Sequence, residues 1–486
     1  MLIEYFTSMK KGFILIIIIF LFPNFIYASP EDSAFYDIKI KLKGIKMSKV
    51  VLGYYIGEQT YAVDSTHVDT VTGEIHFKPT CLLAQGIYFV ANTEGVIFNF
   101  ILADEHDFTI NTHISAPYDS AHIEQSVENA VFFNYMKVLQ KTETEVNQIS
   151  TMVDMLRQAK AENTVIKEQQ QKITARYAGL DKYTQSVTRQ APNLFTSKLL
   201  NISTMPVVPS ELTPMTNNKP NAAYWYYFRQ HFFDGVDFND MRLVRTPYYA
   251  KRLEQFLGYM TNNTDSVKTQ LDFILNKTHS HPAFYKFTLQ WLTAVFDDNI
   301  DRMTNADAYL IHLVEKYHRN TDSGTDKYML ERLDYKANAF KNALIGQTAP
   351  DFSLPDTEGV LKSLWDIKAD YTLVVFYSSL CTHCRETLPN IQNVLQNMGD
   401  KKLTVMTVCT DGVREAWLPF LKELKMTNWT NVLDTKPETD IQKKYVTWNL
   451  PVIYLLDKNK TILANRIKPE KLADLLRGGV LNGISN

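Results

Sequence analysis

The chain is organised around two cysteines two residues apart, Cys381-Thr382-His383-Cys384. They follow the apolar run Tyr371-Thr-Leu-Val-Val-Phe-Tyr377 and precede Arg385-Glu-Thr-Leu-Pro389, a pattern that predicts a buried strand running into a helix. The first turn of a helix offers unpaired N–H groups and the positive end of the peptide dipole, and both favour a thiolate on the first cysteine. Cys381 is therefore the expected attacking sulfur. Cys384, one turn further in, stands close enough to displace a substrate from a mixed disulfide and close a small ring, so it is the expected resolving sulfur. Thr382 and His383, between the two, are the residues placed to tune that chemistry.

Only Cys81 and Cys409 remain, so the pattern is one close pair with two scattered singles and not a disulfide scaffold. Cys81, before a Leu-Leu pair, is expected to be a buried small hydrophobe. Cys409 ends an apolar strand near the active edge of a parallel sheet and is expected to be a buried free thiol, with a third redox sulfur as the alternative. A bridge between these two singles would cross domains and has no support in the sequence. One CxxC supplies only two of the ligands a zinc site needs, and covalent haem attachment wants a histidine where Arg385 stands. No metal and no cofactor is expected. His106, His113 and His122 are spread over loops or strand ends with no cysteine nearby, which predicts solvent-facing side chains.

A chain of 486 residues is too long for one hydrophobic core and suggests about three units. The formal net charge of −2, with mixed signs throughout, gives no basic footprint, so nucleic acid is not an expected partner. Lys10 and Lys11, the apolar run from Phe13 to Phe22, Pro23 and the small residues Ala28 and Ser29 read as a signal peptide over residues 1–28, cleaved near Ala28. Met9 is a more ordinary start for such a signal than Met1, whose leader carries Glu4. The run is shorter than the roughly twenty apolar residues of a membrane span, and an uncleaved anchor is the alternative. No cysteine follows it to carry a lipid.

The elements then fall in order. From Phe35 to about Ile114 short alternating runs bounded by Gly, Asn and Asp predict an antiparallel β-sandwich over residues 34–120. Val146, Ile149, Val153 and Leu156 mark the change to a helical period, and an all-α region is expected over 124–342. Pro206, Pro209, Pro214 and Pro220, with Asn217 and Asn218, break it into two parts. The aromatic run Tyr224-Trp-Tyr-Tyr-Phe-Arg-Gln-His-Phe-Phe233 is read as core filling, with a groove for an apolar polypeptide as the alternative. From Gly346 strands alternate with helices, which predicts an α/β unit with a partly parallel sheet over 346–478.

This last unit resembles the extracytoplasmic thioredoxin-like proteins of the TlpA and ResA type, in the superfamily that thioredoxins share with the AhpC/TSA proteins. The residues that carry the resemblance are Gly346-Gln-Thr-Ala-Pro-Asp-Phe-Ser-Leu354, Leu361-Lys-Ser-Leu364, Val374-Val-Phe-Tyr377, the Cys381 to Cys384 motif, Leu388-Pro389 and Trp448-Asn-Leu-Pro451 followed by Val452-Ile-Tyr-Leu-Leu-Asp457. The resemblance implies that Pro389 kinks the active-site helix. It also implies that Pro451 is a cis proline facing the cysteines, with the backbone of Leu450 pairing with an extended substrate peptide. A histidine before the second cysteine also occurs in oxidising DsbA-like enzymes, where it stabilises the reduced thiolate, so His383 is expected to raise the reduction potential.

The departures matter as much. Leu380 replaces the common tryptophan, Val375 the buried acid of thioredoxins, and Thr387 the glutamate of ResA-type proteins. Cys384 thus lacks its usual base, and slow or narrow reductase activity is expected. Ser378 stands where a peroxiredoxin has threonine, which disfavours peroxidase activity.

The preceding regions look like the accessory domains found before such modules in exported proteins of gut-type bacteria, and that likeness supplies no function. The reading is an exported thiol-disulfide oxidoreductase of the periplasm or cell envelope. It would act on envelope protein thiols or disulfides and exchange electrons with a membrane thiol reductase or oxidant, its oligomeric state being open. The alternative is an envelope binding or assembly protein whose thioredoxin-like unit is a docking module.

Overall fold

The computed structural model describes residues 33–212, 215–216, 219–260, 263–396, 403–435 and 440–476. The expected signal peptide, Pro214, Asn217, Asn218 and residues 477–478 at the end of the expected C-terminal domain lie outside them. The described residues divide into two compact units, those up to 260 with 276–287, and those from 263 to 275 with 288 onward.

In the first unit the strand period does what it predicts. Along Asp37–Lys43 the side chains of Ile38, Ile40 and Leu42 are buried while the lysines between them face outward. That strand lies between Glu74–Phe77 and Asp107–His113, with His122–Glu124 at the far edge. A second four-stranded sheet runs Gln59–His67, Lys49–Ile56, Gly86–Asn92, Gly95–Leu102. All the pairings within these two sheets are antiparallel except one: Asp37–Lys43 and Asp107–His113 run parallel, with Ile40 opposite Ile110. Phe100 of one sheet meets Phe108 of the other edge-on, ring centres 6.0 Å apart. Gly53 is required where it stands, because a Cβ there would lie 2.2 Å from the Phe89 ring.

Two long helices follow, Val127–Gln158 and Asn163–Gln190, whose Tyr135 and Val187 share a buried cluster with Leu200 of the next helix, Phe195–Ile202. Ser126 caps the first, its Oγ accepting the Asn129 N–H at 3.0 Å. In the aromatic run, Phe228, Phe232 and Phe233 are buried. Phe233 packs on Phe256 at 4.9 Å, and the Arg252 guanidinium lies 3.8 Å over Phe232. These three rings fill a helical core, while Tyr226 of the same run is exposed.

Cys81 corrects an expectation: it is exposed, not buried. The inward-outward alternation begins only at the short strand Leu83–Ala84, so Leu83 is buried while Cys81 and Leu82, in the bend before it, face solvent.

The second unit holds a five-stranded sheet in the order Thr430–Leu433, Leu403–Cys409, Tyr371–Tyr377, Val452–Asp457, Ile462–Ala464. The first three strands are parallel, and the last two each run antiparallel to their neighbour. The central strand Tyr371–Tyr377 is covered on both faces, which is why its sequence reads as a continuous apolar run. Leu373, Val375 and Tyr377 pack on one side with Cys384, Leu388 and Ile391 of the helix Thr382–Gln396. Val374 and Phe376 pack on the other with Phe352, Tyr445 and Tyr454. The position at which a thioredoxin carries its buried acid is thus a hydrocarbon contact in the core beneath Cys384.

Candidate active site

The central strand ends at Tyr377, Ser378 and Ser379 turn the chain, and the helix begins at Thr382. Cys381 is half-buried and Cys384 fully buried. The Cys384 N–H donates to Cys381 Sγ at 3.1 Å, so one of the helix's unpaired donors is aimed at the first sulfur. Thr382 and His383 are exposed, and Leu380 is 67% exposed, leaving an open apolar lip beside Cys381. Pro389 lies inside the helix and supplies no N–H to the carbonyl of Arg385, so the cysteine-bearing turn is joined to the rest with one bond fewer.

Burial, and then the hydrogen bond with Cys381, push the Cys384 thiol up to about 12. Cys384 is therefore a neutral thiol at ordinary pH. Cys409 is also buried and free; burial first, then the charge of Asp411, push its thiol up to about 12. Cys409 lies near enough to Cys384 to add to the rise there.

Asp411 is the residue that sequence reading missed. Its Oδ2 accepts from Ser378 Oγ at 3.0 Å, from the Ser379 N–H at 2.6 Å and from Ser379 Oγ at 2.7 Å. Its Oδ1 accepts from the Val413 N–H at 3.1 Å and from the Cys409 thiol at 3.3 Å. Burial works to raise its pKa, but these donors, Ser379 foremost, outweigh it and hold the carboxyl below its ordinary value. One carboxylate thus ties the turn before the cysteines to the end of the neighbouring parallel strand. A carboxylate just past the C-terminal end of a parallel strand is a signal that could have found it, since such ends gather at the functional edge of α/β sheets. The two positions where the resemblance would place an acid hold Val375 and Thr387, both buried, and Glu386 is exposed.

The Leu450–Pro451 peptide is cis and leads directly into Val452, the partner of Phe376 near the end of the central strand, and half-buried Leu450 packs against the cluster that also receives Cys381 and contains Cys384. His106, His113 and His122 are all exposed and lie in the other unit. Among the described residues no group of three or more His, Cys, Asp or Glu side chains could hold a metal ion, and no helix is long and apolar enough to cross a membrane.

A three-strand parallel core with two antiparallel strands added, a CxxC at the first strand-to-helix turn and a cis proline heading the strand next to the central one define a thioredoxin-like protein. Residues 345–465 match the AhpC/TSA family, and residues 180–341 match a domain of unknown function, DUF5106. The thioredoxin-like protein YneN of Bacillus subtilis is 28% identical over 118 residues, 24% of this chain and 68% of that protein. The thiol-disulfide oxidoreductase ResA of Bacillus thuringiensis is 26% identical over 132 residues, 27% of this chain and 74% of that one. Among solved structures, the thioredoxin domain of a thiol-disulfide oxidoreductase from Bacteroides vulgatus is 29% identical, covers 27% of this chain and 94% of that one, and superposes with a TM-score of 0.26. Residues 345–465 are thus an AhpC/TSA thioredoxin-like domain, similar to the thiol-disulfide oxidoreductases of the ResA kind.

Proposed function

We propose that this protein is an exported oxidoreductase that exchanges disulfides in envelope proteins through the Cys381–Cys384 dithiol. The observation that carries the reading is the asymmetry of the two sulfurs. Cys381 is half-buried and accepts a helix N–H, while Cys384 is buried, protonated and one turn behind it.

In the reducing direction, the Cys381 thiolate attacks one sulfur of a substrate disulfide. A bond forms between Cys381 and that sulfur, the substrate S–S bond breaks, and the other sulfur leaves as a thiolate. Cys384, on losing its proton, then attacks Cys381 Sγ, closes the Cys381–Cys384 disulfide and expels the second substrate thiolate. Two electrons pass from dithiol to substrate, and a membrane thiol reductase would restore them. The reverse sequence would need a membrane oxidant. The substrate strand lies against Leu450 and Pro451, and Pro389 sets the cysteine turn apart from the rest of its helix. Thr382 and His383, exposed beside the sulfurs, tune the potential. Export rests on the basic and apolar N-terminal segment ending near Ala28.

The test is to equilibrate the purified protein in thiol-disulfide buffers and count alkylated thiols by mass. A two-electron transition between about −270 mV, the value of thioredoxin, and about −120 mV, that of DsbA, is the expected result, and its position sets the direction of flow. A protein whose two cysteines form no disulfide at any poise would refute the reading.

A further inference from the structure

The loop ahead of the cis proline is gripped by helices that precede the thioredoxin-like domain in sequence, all within the second unit. The Trp448 ring stacks on Tyr335 of the helix Lys327–Lys341, centres 5.8 Å apart and planes 20° from parallel, and meets the Phe340 ring edge-on at 5.7 Å. The next residue, Asn449, donates its side-chain N–H to Asp301 Oδ2 at 3.1 Å. Just beyond the last strand a separate helix, Ala306–Leu313, is bolted down by a buried ion pair, Arg466 Nη2 to Asp307 Oδ2 at 2.6 Å, and Asn465 Nδ2 donates to the same oxygen at 3.0 Å.

Two consecutive side chains before Leu450 are therefore held from outside the domain. Tyr335 remains 54% exposed, so its ring does more to fix Trp448 than to fill a core. We propose that Tyr335 and Asp301 are positioning residues for disulfide exchange, backing the Trp448-Asn449 segment so that the Leu450 edge is held ready for an extended protein substrate. This rests on the reading that Leu450 and Pro451 receive the substrate strand. Ordering that edge in advance removes a cost that a polypeptide substrate would otherwise meet on binding. A small disulfide, which needs only the sulfurs, gains little from it. The substrate class is thus a disulfide within an extended chain, and the DUF5106 region is part of the exchange site.

The experiment compares the full-length protein with Tyr335→Ala, Tyr335→Phe, Asp301→Ala, Asn449→Ala and the Asp301→Ala/Asn449→Ala double variant. Each is assayed for kcat and KM with insulin as the protein disulfide and with glutathione disulfide as the small one. The expected result for Tyr335→Ala is a fall of roughly five- to tenfold in the ratio of kcat/KM for insulin to that for glutathione disulfide, carried by KM. Tyr335→Phe, which keeps the stacked ring, restores the ratio. The Asp301 and Asn449 losses are expected to be non-additive through their shared hydrogen bond, with Asp301→Ala losing more because its Oδ1 also lies 3.7 Å from Arg466 Nε. A ratio unmoved by Tyr335→Ala, or equal losses on both disulfides, would overturn the inference while leaving the oxidoreductase reading standing. Wild-type protein inactive on both would overturn the two together.

Discussion

The turn that bears the cysteines and the loop that faces it are held in different ways. On the cysteine side the fixing is polar and close: a helix N–H on Cys381, and one carboxylate, Asp411, collecting donors from Ser378, Ser379, Val413 and Cys409. On the proline side the fixing comes from rings and an amide, with Trp448 against Tyr335 and Phe340, and Asn449 on Asp301. On the function proposed above, the difference would follow from the tasks: a nucleophile needs a fixed electrostatic setting, whereas a surface that receives a chain needs a fixed shape.

The sharpest break in that comparison is loss of the attacking sulfur. Cys381→Ser is expected to lower disulfide exchange by roughly 10³-fold or more, measured as insulin reduction, because no neighbouring thiol has its exposure. Next comes the step that depends on Cys384. Burial, the largest cause of its raised thiol, persists when Cys381 is held in a mixed disulfide, so at working pH only a small thiolate fraction is present, and that fraction grows about tenfold per pH unit. Release of a mixed disulfide on Cys381 should accelerate about a hundredfold from pH 7 to pH 9 in stopped-flow assays. A rate flat across that range would show that a local base supplies what burial withholds.

Asp411→Ala is the third. It strands buried or half-buried donors at Ser378, Ser379 and Cys409, and should lower stability by about 1–3 kcal/mol in denaturant unfolding, with Asp411→Asn losing less. If Asp411→Ala left both stability and exchange intact, the polar tie would be ornament to the apolar packing beneath Cys384. The smallest effect expected is at His383, which is exposed beside the sulfurs. If it stabilises the reduced form, His383→Ala should lower the reduction potential by about 30 mV, a tenfold change in the exchange constant for a two-electron couple.

The fold of the second unit was legible because its signals are local. A strand buried on both faces must be continuously apolar, and Leu373 to Tyr377 is; the break to a helical period then falls at the cysteines. The sandwich was legible in the alternation of Ile38, Ile40 and Leu42, but the parallel pairing of Asp37–Lys43 with Asp107–His113 was not, since period two is the same for both directions of pairing. Cys81 was misjudged because a Leu-Leu pair says nothing about where the strand begins. The carboxylate that ties the turn before the cysteines was missed because an acid was sought at Val375, in the strand leading to them, and at Thr387, in their own helix, whereas Asp411 arrives from just past the end of the next strand.

The sequence by itself determined what contiguous residues decide: a dithiol at the head of a helix, a proline inside that helix, and the apolar strand beneath them. These follow from steric and dipolar rules that act within one or two turns of chain. Only the tertiary structure decided which distant groups close around them. Asp411 reaches Ser378 and Ser379 across more than thirty residues, and Asp301 and Tyr335 reach the loop at Trp448 and Asn449 across more than a hundred. The physical reason is that such contacts are chosen by how sheets and helices stack around a core, and local preference is silent about which side chain, far along the chain, will be brought within 3 Å of another.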